Sequence, residues 1–204
     1  MKRISLAVLI VLMSAVAAYA QVEEPTEVVN DSYHFSFTVE EGTLVTYEEG
    51  GIGFDAVHNP QGGGKGTQPD YGMRVYAGVH YYFTTDMAVA AKLDPPEETF
   101  LSTTDVVNNT RFSELMKAAM SVYDRKPAGD AVVQVEEGAS IKVPYFTWSR
   151  TVGVKTAYAM MYSVVHGDHF ITVQVEGSRP FSNRQVEWFT TKLALQKIPA
   201  ETVE

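Results

Sequence analysis

The sequence predicts an α+β fold in which helices cover an antiparallel β-sheet. Three observations support this class. Apolar and polar residues alternate in several short runs, as in half-buried strands, and two other segments repeat apolar residues at helical spacing. These segments follow one another as strands, helix, strands and helix, which is typical of a sheet with helices packed against it.

Residues 1–20 are predicted to be a secretory signal peptide. Lys2 and Arg3 precede an apolar run at 6–13, and residues 18–20 (AYA) form an A-x-A cleavage site. The apolar run is shorter than the roughly twenty residues that a membrane anchor needs, and the chain has no cysteine to carry a lipid. We therefore expect an exported bacterial protein, periplasmic or secreted, with no membrane anchor after cleavage.

The remainder is long enough for one domain of ordinary size. Residues 21–31 are acidic, contain a proline and lack periodicity, so they are predicted to be a disordered leader. Residues 32–198 are predicted to form a single α+β domain, and residues 199–204 a short tail.

The charge and composition exclude several classes of partner and site. The chain carries 25 acidic against 16 basic residues, a formal net charge of −9, and loses two basic residues on cleavage. Such a chain is unsuited to nucleic acid, whose phosphates need a basic patch, and to anionic membrane surfaces. The lack of cysteine excludes disulfides, thiol nucleophiles and thiolate metal sites.

The first half of the domain is predicted to consist mainly of short strands. Alternation predicts strands at 33–39, 43–48 and 52–57, which glycine-containing turns join into an antiparallel meander. Residues 59–72 contain five glycines and two prolines and are predicted to be irregular. A strand is then predicted at 73–83. A short helix at 85–93 is predicted to end before a pair of prolines.

A second helix is predicted to begin at Asn109 or Thr110 and to end at Tyr123 or Asp124. Its core-facing stripe comprises Phe112, Leu115, Met116, Ala119 and Tyr123. Strands are predicted to follow at 131–136 and 141–151.

A long hairpin is the most strongly determined element. Gly167-Asp168 predicts a two-residue turn with His166 opposite His169. Counting outward, the pairs on one apolar face are Val164–Ile171, Tyr162–Val173 and Met160–Val175. The other face is mixed. A slip of one residue would exchange the two faces, so the pattern specifies the register.

A final helix is predicted directly after the hairpin. Ser182 and Gln185 form a capping box, and the helix is predicted to continue to Ile198. Its apolar stripe comprises Val186, Phe189, Thr190 and Leu193.

The order of these elements resembles a known family. A short aromatic strand (YHFSFTV), a central helix, a strand (IKVPYFTWSRT), a hairpin with Gly-Asp at its tip (VVHGDHFITVQV) and a final helix (SNRQVEWFTTKLALQKI) follow one another. This order is similar to the PsbP-like fold of a photosystem II extrinsic subunit, a Ran-binding protein and small exported bacterial proteins. The resemblance covers about residues 32–198. It implies a PsbP-like sandwich and an accessory or binding role, with no shared catalytic residues.

His166, Asp168 and His169 are the only tight cluster of metal-type ligands in the sequence. Two imidazoles side by side across the turn could hold zinc or copper with a third ligand from elsewhere, such as His34, His58 or His80. The alternative is a solvated hairpin end. No cofactor is predicted.

A candidate binding surface comprises Gly62, Lys65, Tyr76, His80 and Tyr82. The glycine-rich loop around Lys65 lacks the spacing of a phosphate-binding loop, and Pro69 prevents a helix directly after it. It is either a surface loop or a binding loop. The aromatic residues beside His80 could line a groove or an interface.

The sequence favours a non-catalytic accessory or protein-binding domain whose partner is another envelope protein. No GxSxG, SxxK or HExxH motif is present. Two alternatives remain: a metal-assisted hydrolase using His166 and His169, and a small-ligand carrier, which requires an enclosed and mostly apolar pocket.

Overall fold

The computed structural model describes residues 20–21, 24–48, 50–58, 70–79, 106–135, 138–167 and 169–198. The strands in these ranges are β1 (Ala20–Gln21), β2 (Thr26–Asn30), β3 (Phe35–Val39), β4 (Thr43–Tyr47), β5 (Gly53–His58), β6 (Tyr71–Val79), β7 (Pro127–Gln134), β8 (Ser140–Val152), β9 (Lys155–His166), β10 (His169–Gly177) and β11 (Leu193–Leu195). The helices are α1 (Val106–Ser121) and α2 (Asn183–Thr191). The short helix predicted at 85–93 lies outside the described residues.

The described strands form one sheet in the order β1-β4-β5-β6-β10-β9-β8-β7-β11-β3-β2. Every pairing is antiparallel except the single bridge between β7 and β11, which is parallel. The sheet is curled, because Phe37 of β3, near one end, and Phe54 of β5, near the other, belong to one buried core. The α+β class is therefore confirmed, but the sheet is mixed instead of purely antiparallel.

The β9–β10 hairpin lies at the centre of the sheet and has the predicted register. His166 is opposite His169, and the three predicted apolar pairs are present. The apolar face of the hairpin lies in the main core, to which α2 contributes Phe189. The opposite face is covered by α1, whose Phe112 packs in a second buried cluster with Val165 and Phe170. Helices thus cover both faces of the hairpin.

The predicted disordered leader contains a strand. Residues 26–30 form β2, which pairs antiparallel with β3 and buries Val28 in the core. Ser36 of β3 donates a side-chain hydrogen bond to Glu27 of β2. The local composition is polar, but the free edge of β3 supplies backbone partners that composition alone does not show. The two residues of β1 pair with β4, and the predicted cleavage point after Ala20 falls within β1.

The predicted meander of three strands is wrong for its first member. β4 and β5 pair as expected, but β3 lies near the opposite end of the sheet from them. The two edges of β3 are paired with β2 and β11, so its backbone bonds are satisfied away from β4. Alternation predicts that a strand exists, but it does not identify the neighbour of that strand.

The final helix is shorter than predicted. The capping box is present, because the Gln185 amide donates to Ser182 Oγ at 3.3 Å and the Ser182 amide donates to Gln185 Oε1 at 2.9 Å. The helix ends at Thr191, however, and residues 193–195 form β11 between β3 and β7. Leu193 and Leu195 are buried with a strand period of two, so the predicted helical stripe ends before Leu193.

The predicted core stripe of the first described helix is also wrong at its end. Phe112, Met116 and Ala119 are buried, as expected. The helix stops at Ser121, and Tyr123 lies in the following turn with 61% of its surface exposed.

The hydroxyl of Tyr162 provides a test of the central packing. This side chain is fully buried, and its hydroxyl donates to the Phe189 carbonyl of α2 at 2.8 Å. We expect Tyr162→Phe to reduce the free energy of unfolding by about 1–2 kcal/mol, because the carbonyl is left buried without its donor. Urea denaturation measures this change. Tyr47→Phe, at an exposed position, is the control and should have no measurable effect. Equal midpoints for wild type and Tyr162→Phe would contradict the assigned contact.

Candidate functional site

An open groove with a volume of about 1300 Å³ lies at one end of the central strands, on the side of the β8–β9 turn. One wall is the turn that follows α1, at residues 123–126, and another is the β8–β9 turn. Residues 176–178, where β10 ends, close a third side. Along the strands of the β9–β10 hairpin, the groove therefore lies at the end opposite to the His166–His169 turn.

The floor of the groove is the sheet face on which α1 packs. Directly paired residues of neighbouring strands share a face, and the pairs Trp148–Ala159, Ala159–Glu176 and Glu176–Gly72 connect β8, β9, β10 and β6. α1 covers this face around Phe146, and no described helix covers it beyond that point. The small side chains of the floor give the groove its depth.

The wall next to α1 is held by a cation–π contact. The Arg125 amide donates to the Met120 carbonyl at 3.1 Å, and Asp124 adopts a positive φ of 54° as the chain leaves the helix. The Arg125 guanidinium then lies 4.2 Å from the centre of the Trp148 ring and 5.6 Å from that of Tyr123. This arrangement holds a cation and two aromatic rings at the groove edge.

The β8–β9 turn presents apolar side chains to solvent. Gly153 has a φ of +62°, as the first position of a tight hairpin turn requires. Val154 beside it is fully exposed, and Val152 is 64% exposed. A single exposed valine is ordinary. Two at one groove rim, with Tyr123 at another, form an apolar patch of the kind found at binding surfaces.

The groove is basic although the chain is acidic. Arg125, Lys126, Arg150 and Lys155 line it, against only two acidic residues, Asp124 and Glu176. None of these basic side chains forms a salt bridge with a described residue. The whole chain has a formal net charge of −9. The groove therefore has a net positive charge beside exposed apolar groups.

The predicted histidine pair lies at the other end of the hairpin. His166 is only 6% exposed, and neither Nδ1 nor Nε2 has a hydrogen-bond partner among the described residues. Burial lowers the pKa of His166, although nearby backbone groups of His34 and Gln196 favour its charged form. The rings of His169 and Tyr33 pack edge to face, with 4.7 Å between the ring centres.

Among the described residues, the structure supplies no third ligand for this pair. His34 lies close enough to affect the pKa of His166, but these histidines do not form a group that could hold a metal ion. Asp168 and His80 lie outside the described residues. His58 is at the far end of the sheet, where it stacks on Tyr71. The described residues contain no group of three His, Asp or Glu side chains that could hold a metal ion. The metal site therefore stays a prediction.

Tyr76 is the one residue of the predicted binding surface that lies among the described residues. Gly62, Lys65, His80 and Tyr82 lie outside the described residues. Tyr76 is half-buried on β6 and does not line the groove. Burial raises the pKa of its hydroxyl, and a hydrogen bond with Thr172 opposes the rise.

The groove residues were missed by the sequence reasoning. Trp148 is not among the predicted site residues, and Tyr123 belongs to the predicted core-facing stripe of the helix. One available signal was the apolar turn Val152-Gly153-Val154, because turns usually carry polar residues. A second was the short spacing between Arg150 and Lys155 in an acidic chain.

A buried polar cluster near the groove was also missed. Tyr71 donates to Glu40 Oε2 at 2.7 Å, and Thr43 Oγ1 lies 3.2 Å from His58 Nδ1. Burial raises the pKa of the Tyr71 hydroxyl, and Glu40 raises it further. Thr43 has no exposed surface, so a substrate cannot reach the hydroxyl–imidazole pair. We interpret the cluster as a satisfied polar network within the fold.

Comparison with known proteins identifies no family. No model of a protein family matches the sequence, and no curated protein matches it. The structure is similar to a crystal structure from Bacteroides thetaiotaomicron, with a TM-score of 0.47 and 10% identity over 86% of this chain and 50% of the other. This chain thus spans half the length of that protein.

A second similar structure is the solution structure of cyanobacterial PsbP from Synechocystis. Its TM-score is 0.34, with 14% identity over 76% of this chain and 81% of the other. A PsbP structure is therefore among those that this fold resembles, as the order of elements predicted.

Neither helix in the described part of the chain is long and apolar enough to cross a membrane.

The buried histidine predicts a pH dependence of stability. The pKa of His166 lies below its ordinary value of 6.5 in the folded protein, so the unfolded chain binds a proton first as the pH falls. The stability that neutral His166 contributes is therefore fully present above the pKa of this residue in the unfolded chain. It decreases as the pH falls through the pKa of His166 in the folded protein. The proximity of His34 and His169 also lowers the pKa of His166.

Urea midpoints measured from neutral to mildly acidic pH test this dependence. We expect His166→Phe, which cannot titrate at this position, to show a flatter decrease than the wild type. An equally steep decrease in both proteins would contradict the assignment to His166.

Proposed function

We propose that this protein is a non-catalytic accessory protein of the bacterial envelope that holds an acidic segment of another protein in its groove. The observation that carries the proposal is the basic and partly apolar groove on an acidic chain. Export is supported by the N-terminal sequence, with its basic start, apolar run and A-x-A site.

The lining of the groove suits a polypeptide. Arginine, tyrosine and tryptophan are enriched at protein interfaces and often dominate their binding energy, and Arg125, Tyr123 and Trp148 lie together at one wall. The exposed valines of the β8–β9 turn add apolar area at the rim. A segment with both apolar and acidic side chains would complement both parts of the groove.

Charge favours an acidic partner over a basic one. Arg150 and Lys155 are exposed at the β8–β9 turn and have no described ionic partner. Such charges steer an oppositely charged segment and reject one of like charge. The acidic remainder of the surface would repel most acidic proteins, so binding would be restricted to segments that reach the groove.

The carrier alternative is less well supported. It requires an enclosed and mostly apolar pocket, whereas this groove is open and carries six charged residues.

We also propose that the fold is a variant of the PsbP-like sandwich, because α1 and α2 cover opposite faces of the central hairpin.

A labelled peptide that repeats Val-Ser-Glu-Ser provides a direct test by fluorescence anisotropy. We expect it to bind the protein, and the matching Val-Ser-Lys-Ser peptide to bind at least about tenfold more weakly. Arg150→Glu combined with Lys155→Glu should weaken the binding of the acidic peptide by a similar factor.

The charge-matched control is Lys142→Glu combined with Arg184→Glu, two exposed positions outside the groove. It makes the same change in net charge and should leave the affinity nearly unchanged. Equal effects of the two double variants, or equal binding of the two peptides, would contradict the proposed site.

Metal binding at the hairpin end is a second candidate. It is favoured by one observation: within the described part of the chain, both ring nitrogens of buried His166 lack hydrogen-bond partners, and its cross-strand neighbour is His169. A coordinating metal would satisfy such a nitrogen. The alternative function, a metal-assisted hydrolase, requires that a metal ion binds at this site.

Native mass spectrometry of protein purified without chelator and supplied with zinc or copper tests this candidate. We expect one bound ion per chain, lost in His169→Ala. Circular dichroism of the variant checks that its fold is intact. An unmodified mass for the wild type would exclude the site for the metal supplied.

A further inference from the structure

We propose that the partner segment binds as an added β-strand on the free edge of β8, with alternate side chains directed into the groove. This inference rests on the proposed function, because it specifies how the acidic segment is held. It depends on the edge pairing of β8, which is independent of the charges that line the groove.

One edge of β8 has no partner strand among the described residues over its second half. β7 pairs with β8 only as far as the bridge between Pro127 and Phe146. β9 continues to pair with β8 as far as Val152. Residues 147–152 therefore have β9 on one side and no described strand on the other. Pro127 has no amide hydrogen to donate, and the ladder is already irregular between Pro127 and Gly129.

Backbone groups on this edge point outward at alternate residues. In a two-residue hairpin the residues that flank the turn exchange hydrogen bonds, and bonded and non-bonded pairs then alternate along the strands. Val152 and Lys155 flank this turn. The amides and carbonyls of Thr151 and Ser149 are therefore directed away from β9, and no described backbone group outside the strands bonds to them.

Exposed strand edges of this kind accept a further strand. Soluble proteins usually shield them with a proline, a bulge, a lysine or a covering segment. Here the exposed stretch contains Ser149, Arg150 and Thr151, and Arg150 faces the groove. Strand addition uses main-chain hydrogen bonds for affinity and alternate side chains for specificity.

The groove face of β8 specifies the side chains of the added strand. Trp148, Arg150 and Val152 share this face, because their positions differ by two. The matching residues of the added strand would be apolar, acidic and apolar. Its other face would lie beside Ser149 and Thr151 and would be polar. The structure thus points to an extended acidic segment. Apolar and acidic residues alternate along the face of this segment that lies in the groove, and polar residues occupy its other face.

Two proline variants on the same hairpin separate strand addition from simple attraction to the groove. Thr151 and Thr156 are cross-strand neighbours whose hydroxyls lie 3.0 Å apart, so either substitution removes the same contact. Thr151→Pro removes an amide from the β8 edge. Thr156→Pro removes an amide from the opposite edge of the hairpin, beyond the last β9–β10 pair at Tyr158. Proline is tolerated at edge positions whose amide faces solvent.

We expect Thr151→Pro to weaken binding of the Val-Ser-Glu-Ser peptide by about tenfold, and Thr156→Pro, which leaves the amides of the β8 edge intact, to weaken it severalfold less. Thermal unfolding of both variants shows whether the fold is retained. Equal affinities for the two variants would overturn strand addition.

Peptide backbone methylation gives a second measurement that does not alter the protein. Amides of alternate residues point to opposite edges of a strand. N-methylation of the serines and N-methylation of the valines and glutamates therefore block different edges. We expect one methylated peptide to lose binding and the other to retain it.

Equal binding of both methylated peptides would overturn the inference while leaving the groove proposal intact. Failure of the unmethylated peptide to bind would instead contradict the proposed function itself. Binding between two copies of this chain, detected by light scattering without peptide and abolished by Thr151→Pro, would assign the edge to self-association and overturn the acidic partner.

Discussion

The rest of the structure depends on the register of the β9–β10 hairpin. Its two faces bury different sets of side chains, one in the main core and one under α1, so a slip of one residue would exchange both sets at once. Because β6 and β8 pair with the outer edges of this hairpin, they inherit its register. The same register places Ala159 and Glu176 on the groove floor and the two histidines at the opposite end.

The groove exists because its helix is shorter than the strands below it. At 1.5 Å per residue the sixteen residues of α1 span about 24 Å, whereas the thirteen residues of β8 span about 43 Å. The helix ends at Ser121, and the chain turns back into β7 through Arg125. Trp148 and the strand residues beyond it are left beside this turn. The feature that caps the helix therefore also forms a groove wall.

The candidate site could be predicted only in part. Arg125, Arg150 and Lys155 are visible as basic residues in an acidic chain, but they are distant in sequence and only the fold brings them to one groove. The pairing of His166 with His169 was predictable, since a two-residue turn determines it. The burial of His166 was not, because the covering backbone comes from His34 and Gln196, far along the chain.

The sequence by itself determined the local features: the strand periods, the hairpin register, the capping box at Ser182 and the acidic charge. Each depends on residues a few positions apart, whose geometry follows from the backbone. Tertiary structure alone decided which strands are neighbours, that residues 26–30 become β2, and that the chain after Thr191 leaves its helix to form β11. In each case a strand edge elsewhere in the sheet offered hydrogen-bond partners, and the need to satisfy buried backbone groups outweighed the local pattern.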